Sequence, residues 1–188
     1  MKPLTYKQLG WLTFWLWLGF VVGMSALVSH DMAAHPRAQV FADFMAQFIP
    51  MLDNIRRIPG ATEWVRFYYA VFWAVSPIFV GLAWRISDLY MTKRTMPPVS
   101  PFKWIASVAV TGFGFLIMLY WPVADGLGWR DQTMATNIVG IGHHSLMTVF
   151  IWVVVGGSLR GSYYYLLRGT PYWPCGKSAQ AAANEERQ

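Results

Sequence analysis

Ile138-Val-Gly-Ile-Gly-His143-His144-Ser-Leu-Met-Thr-Val-Phe-Ile-Trp-Val-Val-Val155 decides the fold. It has no Asp, Glu, Lys or Arg, and at about 1.5 Å per helical residue it covers most of a hydrocarbon core roughly 30 Å thick. Three other stretches are long and apolar as well, about 9–28, 64–84 and 104–121, the second with Arg66 near its start. With 55% hydrophobic and 13% charged residues, the 188-residue chain is too apolar for an ordinary soluble surface. The expected fold is all-α, an integral membrane four-helix bundle forming a single membrane domain over residues 1–168. Eleven tryptophans and nine tyrosines suit the two interfacial belts of such a protein.

The first run follows Lys2 and Lys7 but exceeds the usual apolar length of a cleaved signal, so it reads as an uncleaved anchor. Beyond it, Phe41, Phe44, Met45, Phe48, Leu52 and Ile55 recur every three or four residues. They predict an amphipathic interfacial helix over about 37–56 that lies along the bilayer surface, with Pro50 weakening its middle. Packing over the end of the bundle and facing lipid or a partner are alternatives for its greasy side. Pro59-Gly60 ends the segment, and Arg66 lies close enough to the start of the second crossing to snorkel outward.

Ser76-Pro77 predicts a kink near mid-membrane, with the freed carbonyl met by a neighbouring helix or by Ser76 itself. Ala106, Gly112 and Gly114 in the third crossing would let another backbone come close. Gly156-Gly157 reads as packing or a bend at the exit of the fourth. The tail, 169–188, reads as disordered and cytoplasmic. Its Cys175 is the only cysteine, which excludes an internal disulfide framework.

The net charge of +6 is spread over the ends of apolar segments instead of forming a stripe, so no direct nucleic-acid partner is expected. Membrane lipid and other membrane protein subunits are the expected partners. Ten of the fifteen Lys and Arg residues fall on the side of the N-terminus, which predicts a bacterial inner (plasma) membrane protein with both termini cytoplasmic.

That topology gathers all four histidines toward the outer side. His30, His143 and His144 are candidate cofactor-binding residues, because a b-type haem needs one imidazole from each of two facing helices. Asp31 and His35 are candidate metal ligands, sharing a face if the first helix continues that far. Hydrogen-bonded packing histidines are the competing reading. No nucleotide loop or nucleophile-base pair appears, and no acidic residue falls within the four crossings as delimited above. The absence of an intramembrane carboxylate argues against a proton- or cation-coupled transporter.

Three short stretches resemble the four-pass membrane proteins of integrating conjugative elements: Pro77-Ile78-Phe79-Val80 followed by Asp88, Tyr120-Trp121-Pro122-Val123, and Gly157-Ser158-Leu159-Arg160. The order of elements, one crossing, a long outer segment and three closely spaced crossings, is similar too. The resemblance implies a non-enzymatic subunit or assembly factor of a conjugative-transfer or secretion complex, with no catalytic residues. A membrane electron-transfer subunit holding haem b is the alternative.

Overall fold

The computed structural model describes residues 5–91, 100–120 and 136–167. They form α1 (Tyr6–Leu27), α2 (His30–Ala34), α3 (Pro36–Ala46), α4 (Met51–Ile55), α5 (Glu63–Met91), α6 (Pro101–Tyr120) and α7 (Ile138–Leu167). Among the described residues there is no strand, and four helices, α1, α5, α6 and α7, are long and apolar enough to cross a membrane. An all-α membrane bundle follows. Only helices satisfy every backbone group within a single segment that meets lipid.

Each boundary has a local cause. A capping box opens α1: the Thr5 hydroxyl accepts from the Gln8 amide and the Gln8 side chain accepts from the Thr5 amide. The helix ends at Leu27, where Val28 turns extended and Ser29 caps α2. His35 then adopts φ −59° and ψ 138° because Pro36 disfavours a helical residue before it. The single interfacial helix expected over 37–56 is therefore α3 and α4, parted by a turn that ends at Pro50.

The spanning helices α5 and α7 run side by side in the same direction, with α1 and α6 antiparallel to them. Gly156 makes the tightest crossing: a Cβ there would lie 2.6 Å from Ala83 Cβ and 2.9 Å from the Val80 carbonyl. Close backbone approach thus occurs on α7, and the small residues of α6 do not supply it. Gly112 has open space around it, Ala106 is exposed, and Gly114 meets only the Ile151 side chain. Both α5 and α7 outrun the expected crossings, because Gly156 and Gly157 serve this contact without ending the helix.

Pro77 leaves the Trp73 carbonyl without its helical donor, and the Ser76 hydroxyl supplies one at 2.6 Å. Helix α6 joins the bundle mainly through α7. Thr111 and Ser158 hydroxyls meet at 2.8 Å, Trp104 donates to Ser162 at 3.0 Å, and Trp104 stacks on Tyr165 at 5.1 Å. Its remaining surface, including Phe102, Ile105, Val110, Phe113 and Ile117, is exposed and apolar.

The connectors and tail to which the sequence assigned a basic proline-rich loop, an outer turn around Arg130 and a disordered end at 169–188 lie outside the described residues. So do Trp121, Pro122 and Val123.

Candidate functional site

Polar and charged side chains occupy three levels of an otherwise apolar bundle, and each level is built by residues far apart in sequence. At the end formed by the N-terminal turns of α5 and α7, Arg66 is only 1% exposed. It does not snorkel outward, because α3 and α4 fold over it. Its Nη2 donates to Asp43 at 2.6 Å, Nη1 to Gln39 at 3.2 Å and Nε to the Leu52 carbonyl at 3.2 Å, while Asp53 lies 3.6 Å away. A fully desolvated guanidinium is tolerable only when its donors are met in this way. Hydrogen bonding from Arg66 holds the Asp43 carboxyl below the usual carboxylate range, and Arg56, 3.1 Å from the same oxygen, adds to the effect.

One level deeper, the Ser145 hydroxyl accepts from Trp17 Nε1 and from the Tyr68 hydroxyl, both at 3.0 Å, and donates to the Gly142 carbonyl at 2.9 Å. This knot joins α1, α5 and α7 in a dry interior. Its members hold one another, and none is a nucleophile beside a base. Ser145 points at tryptophan and tyrosine, so the sequence neighbour His144 does not activate it.

The opposite end repeats the theme. Arg160, on α7, is 1% exposed, and its Nε donates to Asp88 on α5, with Arg85 3.7 Å from the other Asp88 oxygen. Asp88 therefore belongs to a spanning helix, because α5 continues past the crossing drawn from sequence. It serves as the counterion of Arg160. From Arg66 to Asp88 is 22 residues, about 33 Å of helix at roughly 1.5 Å per residue, so the two ion clusters bracket one hydrocarbon thickness.

The histidine pair divides as helical geometry requires. His144 is 3% exposed, with its ring edge-on to Tyr69 at 5.5 Å, and His143 is exposed on the outer surface of α7. His30 opens α2 and stands 6.1 Å from the Trp64 ring. It lines a cleft of about 440 Å³ with Ser25, Trp64, Thr136, Ile138 and Ile141, and neither His143 nor His144 lines that cleft. Asp31 and His35 are exposed, and the break of the first helix at Val28 removes the continuous face on which they were expected. His35 Nδ1 instead accepts the Arg37 amide at 3.3 Å and caps α3. Among the described residues no group of three or more His, Cys, Asp or Glu side chains converges on a metal-sized site.

The arginine clusters and the Ser145 knot went unread in the sequence. Matched charges at equal depth, Asp88 with Arg160, were the available signal. Comparison of the chain with family models, curated proteins and solved structures returns no match, so the likeness to conjugative-element proteins rests on the short stretches quoted above.

Proposed function

We propose that this protein is a non-enzymatic, multi-pass subunit or assembly factor of a larger envelope complex in a bacterial inner membrane, with conjugative transfer or secretion as the machinery. The start of α1 at Tyr6 and the end of α7 at Leu167 sit at the Arg160 end of the bundle, which in this reading is cytoplasmic. One observation supports the reading: α6 packs mainly against α7 and turns most of its apolar surface away from the other described residues. Meanwhile Arg66, Ser145 and Arg160 each bond to other groups within the bundle. Rigid helices with structural interiors and an open flank suit a subunit that packs beside other membrane helices.

The test is photocrosslinking in native membranes from Val110 and Phe113, both exposed on α6. Discrete protein adducts that co-purify with the chain support the proposal. Adducts to lipid alone at both positions overturn it.

The second reading, a haem-binding electron-transfer subunit, would need His30 in the cleft and His144, which lies one helical turn beyond the cleft residue Ile141 and does not line it, to reach one iron. A reducible Soret band lost in His30→Ala and His144→Ala would establish it. A colourless preparation from haem-replete cells would remove it.

A further inference from the structure

The outer segment has two apolar faces. Toward the bundle, α3 buries Ala42 and packs Phe41 against Phe67 at 6.2 Å, while Met45 and Ala46 join the core. Away from it stand Val40, Phe44 and Phe48, which are 68%, 53% and 61% exposed and four residues apart, with the Phe44 and Phe48 rings 5.4 Å from each other. The periodic greasy pattern in the sequence mixes these two sets. Burial assigns Phe41, Met45, Leu52 and Ile55 to the protein and leaves Val40 and Phe44 on the outward side of α3, joined by Phe48 from the turn that follows it.

We propose that this outward Val40, Phe44 and Phe48 face inserts into the bilayer at the headgroup and acyl-chain boundary. The occupant is lipid, and two observations select it. First, the segment is bonded to end turns of the spanning helices. Gln39 and Asp43 hold Arg66, Trp64 Nε1 donates to the Val28 carbonyl at 2.8 Å, and Asn54 donates to the carbonyl of Tyr120, the last residue of α6, at 2.9 Å. Helix α3 is thereby fixed at the depth of the membrane boundary, near the level at which α6 ends at Tyr120. Second, arginines lie near the stripe: Arg37 one turn before Val40, and Arg57 after α4 beside Arg56, which is itself paired with Asp43 at 3.1 Å. An apolar stripe beside arginines matches acyl chains beneath phosphates, with the arginine stems lying along the hydrocarbon and their heads at the headgroups.

The proposal holds whether or not the chain is a complex subunit, because it concerns lipid contact by the cap alone. The experiment is site-directed spin labelling of the full chain in vesicles of equimolar phosphatidylcholine and phosphatidylglycerol. Cys175→Ser supplies the background, with single labels at Phe44→Cys, Phe48→Cys and, as a polar reference, Asp53→Cys. Labels at 44 and 48 should collide with oxygen several-fold more, relative to a water-soluble nickel chelate, than the label at 53. Equal or greater nickel access at 44 and 48 would show a water-facing surface and overturn the proposal. Access to neither reagent would show a protein cover, from a partner or a second copy, and overturn it as well. Because these side chains are exposed, substitution leaves the core intact. Retention of the folded-state unfolding temperature confirms that each label reports on the native cap.

Discussion

Arg66 and Arg160 are equally hidden from solvent, yet the two ends of the bundle neutralise them differently. Around Arg66 four acceptors from two short helices share the charge: Asp43, Asp53, Gln39 and the Leu52 carbonyl. At Arg160 the described ion pair runs to one carboxylate, Asp88, fixed on the neighbouring spanning helix. The first arrangement is redundant and built from a peripheral cap, while the second is concentrated in the tightest seam of the protein. The same buried cation is thus a clasp for the cap at one end and a rivet between α5 and α7 at the other.

The largest expected effect follows from that concentration. Asp88→Ala removes the carboxylate that Arg160 Nε donates to and should destabilise the bundle by about 3–5 kcal/mol, whereas the double variant Asp88→Leu with Arg160→Met should recover most of that loss. Denaturant unfolding in mild detergent measures both, and a harmless Asp88→Ala would break the comparison. Next comes the seam itself. Gly156→Leu forces side-chain atoms into Ala83 and the Val80 carbonyl, and about 1–3 kcal/mol of overpacking is expected. Gly112→Leu, on open α6, should be close to neutral in the same assay.

Between the two ends, Ser145→Ala leaves Trp17 and Tyr68 without their shared acceptor, at a cost of about 1 kcal/mol. The smallest effect belongs to the redundant clasp. Asp43→Asn should leave the spanning helices intact and raise only the protease sensitivity of the cap, because Asp53, Gln39 and Leu52 still face Arg66. The depressed Asp43 pKa means that its folded form prefers the carboxylate. Its contribution is present above the ordinary carboxylate range and fades as pH falls below about 4 through the lowered value. Cap proteolysis in the wild type should therefore rise on acidification, while Asp43→Asn loses that part of the response.

How much of this was legible in sequence follows from the range over which each feature is determined. The four spans are local facts: apolar runs of about 20 residues with at most one charge announce themselves, and Ser76-Pro77 even carries the donor that repairs its own kink. The lengths of α5 and α7 were less legible, since Gly156-Gly157 looks like a helix exit until Ala83 is known to lie against it. Arg66 was assigned to water because a cation at the edge of a span ordinarily snorkels. Its burial depends on Asp43, 23 residues earlier in a segment whose path the sequence does not fix. The Trp17 to Ser145 bond spans 128 residues, beyond any periodicity argument. For the histidines, helical geometry divided the 143–144 pair correctly, but which member turns inward depended on where Tyr69 stands.

The topology expected from these helices places the Arg66 and Arg160 clusters at opposite faces of a membrane crossed four times, with both described ends at the Arg160 face. Its most direct test is labelling of single cysteines with a membrane-impermeant maleimide, in a Cys175→Ser background, in intact and in permeabilised cells. Positions 31 and 53 report the Arg66 face, and positions 85 and 103 the Arg160 face. The account predicts labelling of 31 and 53 in intact cells and of 85 and 103 only after permeabilisation. Labelling of a position from each cluster in intact cells would contradict it.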